Sequence, residues 1–272
     1  MRFALLCVCA VSLVPLAAPN LSAQEVPTGA PAAPNPAANS TLSPRQTAEL
    51  RADIMMARKD YFEAARAYDQ ILKNEPNNAE LLNKMGVAYQ QLVDLNRAEH
   101  CYKKAMKADK KFVSAINNVG TVEYEKKHYG KAVGYYRKAL DLRTDMATIY
   151  TNLGYAYMED KKYPEAMSAF GKALEIDPAV FDRKGGNGAI VQQRTTTDPG
   201  LFFFFVAKSY AMAGDAEHAA HYLKLSRDDG YKDFATAAKD PAFAKVIKDP
   251  RVQEVLTVVP SYAAEAKKPS GI

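Results

Sequence analysis

The sequence predicts an all-α solenoid, in which helix-turn-helix repeats stack side by side. Three series of residues carry this prediction, because each of them recurs at a constant interval of about 34 residues. A fixed period of this length is the signature of a stacked repeat architecture, which builds an extended binding surface rather than a catalytic pocket. The small residues, the alanines and the aromatic residues of the three series are Ala52, Gly86, Gly120 and Gly154; Ala64, Ala98, Ala132 and Ala166; and Tyr68, Tyr102, Tyr136 and Phe170.

Each repeat is predicted to contain two helices, because its apolar residues recur at helical spacing. One short helix pair cannot bury its apolar stripe alone, so neighbouring pairs must stack. We expect the small residues to let helices cross closely, and the aromatic residues to fill space between helices. The turns within the second, third and fourth repeats are expected near Asp94, Lys127 and Asp160. In the second repeat the apolar residues are Leu82, Met85, Val87 and Tyr89, then Ala98, Tyr102, Ala105 and Met106.

The fourth repeat resembles a tetratricopeptide repeat, and the second repeat is another good copy. The third departs from the family pattern at Glu123, where Tyr is favoured, and at Thr144, where Pro is favoured. The first repeat is degenerate in its opening helix. A fifth copy follows after a break in the array, and its register is displaced from the 34-residue interval of the first four. The residues that carry the resemblance are Leu153-Gly154-Tyr155-Ala156-Tyr157, Tyr163-Pro164-Glu165-Ala166, Phe170, Ala173-Leu174 and Asp177-Pro178 in the fourth repeat, and Phe203, Ala207, Tyr210, Gly214 and Ala219 in the fifth.

The resemblance implies a right-handed superhelical solenoid of about five repeats, closed at its end by capping helices. Capping helices are predicted within residues 234–259, at Pro241–Ile247 and Pro250–Val258, because the last apolar face of an array otherwise meets water. Residues 260–272 are predicted to form a disordered tail. The repeats themselves are predicted at 45–78, 79–112, 113–146, 147–180 and 200–233.

The predicted break in the array spans residues 179–199. Its Gly185-Gly186-Asn187-Gly188 core, flanked by apolar pairs, suggests a hairpin-like excursion or a recognition loop. A phosphate-binding loop is disfavoured, because no Gly-Lys-Ser/Thr follows and no strand-to-helix unit surrounds it. Asp198-Pro199 then opens the next helix with a cap and a first-turn proline. In the aromatic run Phe202–Val206, we expect most rings to be buried and one to be exposed.

The first residues of the chain are predicted to be an export signal. An arginine, an apolar run from Phe3 to Leu16 and the small-residue segment Leu21-Ser22-Ala23 follow the order of a signal peptide, 1–23. A retained membrane anchor is the alternative. Residues 24–44 are rich in Pro and Ala and are predicted to be a disordered linker. The sequence therefore predicts an exported protein that is periplasmic or associated with the outer membrane.

The sequence contains no recognisable catalytic constellation, so we expect no enzyme activity, no metal site and no cofactor. His218 and His221 are three residues apart on a predicted helix, but a fuller set of metal ligands is missing. Asp228-Asp229 fits a turn at a helix end. Once the signal is removed, Cys101 is the one thiol left, and it is expected to be a partly buried small hydrophobe.

The family resemblance places the first helix of each repeat along a concave groove, which is predicted to bind a protein or peptide partner. Amide side chains there can donate to and accept from an extended peptide backbone. A clamp for a C-terminal carboxylate is not predicted, because Ser114, Thr148 and Asn152 stand where basic partners are needed. A solvated groove without a ligand is the alternative. The predicted groove residues are Asn83, Val87, Gln90, Gln91, Asn117, Asn118, Thr121, Tyr124, Thr151, Asn152, Tyr155 and Met158.

The charge is uneven along the chain, with eleven basic and four acidic residues between Arg97 and Leu140. The segment includes Lys103, Lys104 and Lys107, and it is either a solvated outer face or a binding face for an anionic envelope polymer or lipid surface. Nucleic acid is disfavoured as a partner, and the oligomeric state is not predicted. The favoured function is a non-catalytic protein-interaction scaffold in cell-envelope assembly, with binding to an anionic envelope surface as the alternative.

Overall fold

The computed structural model describes residues 42–182 and 196–257, and within these ranges it is all-helical. The predicted signal peptide and tail, and most of the predicted linker and insertion, lie outside the described residues. Two 3₁₀ segments, Phe234–Lys239 and Pro241–Phe243, precede the last helix. The helices are α1 Pro44–Ala57, α2 Tyr61–Leu72, α3 Ala79–Gln91, α4 Leu95–Ala108, α5 Val113–Glu125, α6 Tyr129–Leu142, α7 Ala147–Glu159, α8 Tyr163–Ile176, α9 Pro199–Ala213, α10 Ala216–Asp228 and α11 Pro250–Thr257.

The start of the array is set by a capping box. The Ser43 hydroxyl accepts from the backbone N–H of Gln46, and the Gln46 side chain accepts from the backbone N–H of Ser43. Two orphan donors of the first turn are thereby satisfied. Pro44 occupies the first helical position, where its missing N–H costs nothing. The first helix therefore has its cap at Ser43 and begins at Pro44, the residue at which the predicted linker ends.

The small residues of the first series lie against the aromatic residues of their own repeats. A Cβ atom on Gly86 would stand 2.6 Å from the Tyr102 ring, and one on Gly120 would stand 2.7 Å from the Tyr136 ring. At Gly154 the distance to the Phe170 ring would be 2.3 Å. Real side chains do not approach so closely, and the rings are fully buried. The 34-residue spacing of the glycines is thus explained by a close contact between the glycine of the first helix and the aromatic ring of the second helix in each of these pairs.

Helices α1 to α8 form four regular pairs, in which each helix packs against the next. Helix α5 also contacts both α3 and α7 directly. In a curved stack the elements that approach most closely lie on the inside of the curve. We therefore call α1, α3, α5 and α7 the inner helices, and α2, α4, α6 and α8 the outer helices.

The pair α9–α10 attaches to this stack in the reverse direction. Each earlier inner helix begins beside the end of the preceding outer helix, because the connection between them is short. Helix α9 instead begins beside the end of α7, where the backbone N–H of Thr197 donates to Glu159 at 3.0 Å. Near its other end, the Tyr210 hydroxyl donates to the carbonyl of Pro178, just beyond α8, at 2.9 Å. Helix α9 thus runs alongside α8 in the same direction.

The end of the array is capped, but not by the two helices that the sequence predicts. Only Pro250–Thr257 is α-helical, whereas the predicted helix Pro241–Ile247 is a 3₁₀ segment over Pro241–Phe243 followed by turns. Phe243 and Val246, three residues apart, are both buried against the α9–α10 core. Side chains three apart lie on one side of a 3₁₀ turn, so this short segment buries both without forming a regular α-helix.

Among the described residues, no helix is long and apolar enough to cross a membrane.

Candidate partner-binding surface

The inner helices place most of the predicted groove residues in the interior. Eight of the twelve are buried: Gln90, Asn117, Asn118, Thr121, Tyr124, Thr151, Asn152 and Met158. The other four are half-buried: Asn83, Val87, Gln91 and Tyr155. The prediction that these residues lie on the first helices of the repeats holds, but most of their polar groups do not face open solvent.

Four asparagines form a hydrogen-bonded ladder across the inner helices. Asn118 on α5 donates from Nδ2 to Oδ1 of Asn83 on α3 at 3.0 Å. Asn152 on α7 donates to Oδ1 of Asn117 on α5, also at 3.0 Å. Asn117 in turn donates to Oδ1 of its neighbour Asn118 at 3.2 Å. The ladder therefore ties three repeats together through groups that the sequence suggests for ligand capture.

The ladder has an unsatisfied end at α7. Among the described residues, the Oδ1 atom of Asn152 is the one buried side-chain oxygen or nitrogen without a hydrogen-bond partner. The next helix in the chain, α9, is rich in phenylalanine and continues no amide row. The reversal of α9 and the end of the ladder therefore coincide.

Further buried polar groups of the inner helices pair within the array. Gln90 accepts from the Tyr102 hydroxyl at 2.7 Å and donates to Glu125 of the next repeat at 2.8 Å. The Tyr136 hydroxyl donates to Thr121 at 3.3 Å. Thr151 donates to the backbone carbonyl of Ala147, one turn earlier in its own helix, at 3.0 Å. These groups stabilise the repeats and leave little free hydrogen-bonding capacity at their positions.

Tyr155 and Met158, at the end of the predicted groove, belong to an aromatic core instead. The Tyr155 ring stacks on Phe202 of α9 with centroids 4.9 Å apart, and it meets the edge of Phe170 at 5.8 Å. Met158 is buried in the same core. In the aromatic run of α9, Phe202, Phe204 and Phe205 are buried and Phe203 is half-buried. The α9–α10 pair is thus held to the fourth repeat by rings that the sequence assigns in part to the groove.

Comparison with known families identifies the helix pairs. Residues 79–112, 120–161 and 147–179 match family models described as tetratricopeptide repeat or TPR repeat. These segments of the chain are tetratricopeptide repeats. The matched segments lie within the second to fourth repeats, where the glycine–ring contacts and the amide ladder also occur.

Solved structures share the fold of this array of repeats. A fragment of MamA from Desulfovibrio magneticus RS-1 is 22% identical, covering 67% of this chain and 95% of that chain, with a TM-score of 0.50. PilF of Pseudomonas aeruginosa is 17% identical, covering 82% of this chain and 97% of that chain, with a TM-score of 0.53. At these identities the likeness concerns the fold alone. A comparison with curated proteins found no match.

Three of the half-buried groove residues form an accessible strip on α3. Asn83, Val87 and Gln91 are four residues apart, so their side chains lie on one face of that helix, and all three are half-buried. Asn83 marks this face as the inner one, because it contacts Asn118 of α5. We call Asn83, Val87 and Gln91 the inner strip.

An ion-pair cluster continues the inner face from α3 to α1. The Lys84 ammonium lies 2.8 Å from Glu49 and 2.9 Å from Asp53. Burial lowers the pKa of Lys84, but the two carboxylates outweigh this effect and raise its pKa above the ordinary value. Burial, together with its hydrogen bond to Asp53, raises the pKa of Tyr68 well above the usual range. The Lys84 cation of the second repeat is thus paired with two carboxylates of the first repeat.

The predicted basic face lies on the outer helices, and its members differ. Lys103 pairs with Glu99, and this hydrogen bond raises the pKa of Lys103. Lys104 and Lys107 are exposed and form no ion pair with the described residues. The face thus combines neutralised and free cations.

One histidine of the pair, His218, is part of a structural contact that the sequence does not indicate. The two ring nitrogens of His218 lie 2.7 Å from Asp215 and 3.2 Å from Asp182, while His221 is exposed. Asp182 comes from the segment after α8, two helices earlier in the chain, so its proximity depends on the fold. No group of three or more potential metal ligands occurs in residues 42–182 and 196–257. Cys101 is buried, and burial raises its pKa to about 11.

Proposed function

We propose that this chain is a protein-interaction scaffold that binds a peptide or protein partner along its inner helices, in the assembly of the cell envelope. Support for the coarser part of the proposal is the tetratricopeptide family itself, whose arrays are generally non-catalytic scaffolds for other proteins. The envelope role is supported by the predicted export signal in residues 1–23. The partner is expected to be a segment of protein that lies along α3.

The inner strip is the observation that carries the proposal. Its three side chains offer two amides and one apolar group along a single helix face. The Nδ2 group of Asn83 has donors to spare, because its side chain is engaged in the ladder through Oδ1. Amides interleaved with an apolar contact suit an extended peptide, which needs hydrogen bonds for its backbone and a surface for its side chains.

The amide ladder below the strip prepares the surface for binding. It fixes the spacing of α3, α5 and α7, so the inner face does not have to be ordered when a partner arrives. A surface that is already ordered loses less conformational entropy on association. The buried asparagines therefore contribute to binding through the position of the helices rather than through direct contact.

A photo-crosslinking experiment tests the inner strip directly. A benzophenone amino acid is placed at Val87 in one variant and at Ser168, which is exposed on the outer helix α8, in a matched control. Native envelope fractions are irradiated, and adducts are resolved by mass. We expect a discrete adduct from position 87 that is absent from position 168. Equal adducts from both positions, or none from position 87, would contradict the proposal.

A pair of substitutions tests whether the strip is needed. Val87→Arg with Gln91→Arg adds two long cations to the inner face, and Gln70→Arg with Ser168→Arg adds the same charge to exposed outer sites. Only the inner pair is expected to abolish capture of the crosslinked partner, while both variants keep the helical circular dichroism of the parent. Capture that survives the inner pair would place the partner elsewhere.

The envelope role has its own test. Deletion of residues 2–23 is expected to leave the chain in the cytoplasm, whereas the full chain is recovered from the periplasmic or outer-membrane fraction. Fractionation with a cytoplasmic marker protein measures this. Equal recovery from the envelope after the deletion would refute the export signal without affecting the inner-strip assignment.

A further inference from the structure

The outer helices α4 and α6 carry a group of cations that the fold leaves without partners. They are exposed, and none forms an ion pair with the described residues. Asp141 lies one turn beyond Arg137 on α6 but does not pair with it. We call the following residues the outer basic patch: Lys104, Lys107, Lys131, Arg137 and Lys138.

The patch lies on one continuous surface. Helices α4 and α6 lie on the same side of α5, because the Tyr135 side chain of α6 packs against the cluster that Ala98 and Tyr102 of α4 form with Val119 and Val122 of α5. Lys104 and Lys107, three apart, share one face of α4, and Lys131 and Lys138, seven apart, share one face of α6. The cations therefore reinforce one another rather than pointing to different sides of the array.

On the flanking outer helices, α2 and α8, the cations have partners. On α2, Arg66 pairs with Glu63 at 3.3 Å, and Lys73, which caps the end of this helix, donates to Gln70 at 2.8 Å. On α8, Lys172 pairs with Glu175 three residues later. Each of these cations has a partner on its own helix. The excess of free positive charge is thus confined to the middle of the outer face.

We propose that the outer basic patch docks the array on an anionic phospholipid membrane surface. Four of its five members are lysines, and the one aromatic side chain between them on α6, Tyr135, is half-buried against the neighbouring helices rather than fully exposed. Protein interfaces are depleted in lysine and enriched in aromatic residues at their centres, so a protein partner is the weaker match. Clusters of four to eight Lys and Arg side chains are typical of binding to anionic lipid headgroups.

The surface of α6 lets a flat layer of headgroups approach the lysines. Gly130 and Gly134 lie on its exposed side, and a Cβ atom on either would meet nothing within 4 Å. Tyr135 lies between Lys131 and Lys138 on the same face of α6, but it is half-buried against the cluster that contains Tyr102 of α4, so both exposed lysines remain accessible to headgroups. Contact on the outer helices would also leave the inner strip free, so docking and partner binding are compatible.

Vesicle sedimentation tests the docking surface. The full chain is mixed with vesicles of one part phosphatidylglycerol to two parts phosphatidylcholine, and with pure phosphatidylcholine vesicles that report any contribution of the apolar residues 3–16. Each lysine near an anionic bilayer strengthens binding by about fivefold, from about 1 kcal/mol per charge. Lys104→Gln with Lys107→Gln and Lys138→Gln is therefore expected to weaken the anionic-lipid-dependent binding by about a hundredfold.

A control with the same net charge separates the patch from overall basicity. Arg66→Gln with Lys73→Gln and Lys172→Gln removes as many charges from the flanking outer helices and is expected to change binding less than about threefold. Raising the salt from about 0.1 to about 0.5 M is expected to abolish the anionic-lipid-dependent part. Equal losses in both triple variants, binding that ignores salt, or no preference for anionic vesicles would overturn the proposal. A chain that binds soluble polyphosphate but not these vesicles would overturn it as well.

Discussion

The second to fourth repeats and the α9–α10 pair carry related residue motifs but join their neighbours differently. In the regular repeats, a glycine lies under an aromatic ring, and amides link the inner helices. The α9–α10 pair has no amide link among the described residues, runs in the reverse direction and is held by stacked rings. The motif therefore determines the helix hairpin, whereas the connection between hairpins determines how one attaches to the next.

The length of that connection explains the difference. Only residues 143–146 separate α6 from α7, so α7 must begin where α6 ends. Residues 177–198 separate α8 from α9, which is long enough to span the length of a repeat. This length allows α9 to begin beside the end of α7 instead of beside the end of α8. The inner face consequently ends at α7.

Of the two kinds of attachment, the stacked rings that hold α9–α10 are expected to contribute more to stability than the amide ladder of the regular repeats. Phe202→Ala removes a ring that stacks on Tyr155 and is 8% exposed, so it should lower the free energy of unfolding by about 3–5 kcal/mol. Phe203→Ala, on the same helix but half-buried, is the matched control and should cost less than half as much. Urea unfolding followed by circular dichroism measures both. Similar losses would show that stacking on Tyr155 does not hold the pair.

Disruption of the amide ladder is expected to have the second-largest effect on stability. Asn117→Ala leaves the Oδ1 atom of Asn118 and the Nδ2 group of Asn152 without partners in the interior, which should cost about 2–4 kcal/mol. Asn74→Ala removes an exposed amide that makes no side-chain hydrogen bond with the described residues and should change stability by less than about 0.5 kcal/mol. Chemical unfolding of both variants provides the comparison. A neutral Asn117→Ala would mean that the ladder adds nothing to stacking.

The sequence predicts the hairpins because their signals are local. The spacing of Gly86, Gly120 and Gly154, and of the rings that cover them, reflects contacts within one repeat. Helix ends follow from caps such as Ser43 and Asp198, whose side chains accept from the first turn. The sequence predicts the wrong helix type for the segment around Phe243, because its period of three is too short to distinguish from that of an α-helix.

The partner-binding surface is less predictable, since it depends on contacts between repeats. The family resemblance places Asn117, Asn118 and Asn152 on inner helices, but not whether their amides reach one another. A usable signal was present: the hydrogen-bonded pairs Asn83 and Asn118, and Asn117 and Asn152, are each 35 residues apart, close to one repeat length. The sequence contains no comparable signal for the reversed direction of α9, because the contact between Thr197 and Glu159 joins residues on either side of an irregular connection.

Two glycines in neighbouring helices should respond in opposite directions. Gly120→Ala on α5 forces a Cβ atom to 2.7 Å from the Tyr136 ring and should cost about 1–3 kcal/mol. Gly134→Ala on α6 meets nothing within 4 Å and should stabilise the helix by about 0.5–1 kcal/mol. Thermal unfolding of the two variants compares them. Stabilisation by Gly120→Ala would refute the glycine–ring contact as the origin of the glycine series.

The turns within hairpins offer the smallest contrast. The regular hairpins use non-glycine residues with positive φ, among them Val93 at 60°, whereas the last hairpin uses Gly214 at 90°. Val93→Gly should stabilise the array by about 0.5–1 kcal/mol, because a β-branched residue is strained in this region and its side chain is 77% exposed. Gly214→Ala should cost about 1 kcal/mol. Thermal unfolding measures both, and a loss of stability in Val93→Gly would assign the side chain a packing role.

Crosslinking between α7 and α9 tests the reversed attachment most directly. In a chain with Cys7, Cys9 and Cys101 replaced by Ser, one variant carries Asp160→Cys with Thr197→Cys, and a second carries Asp145→Cys with Thr197→Cys. Helix α7 has 13 residues, so its two ends are about 20 Å apart. A short bismaleimide should link the first pair rapidly and leave the second unlinked. Linking of the second pair instead of the first would show that α9 continues the regular stack and that the inner face extends beyond α7.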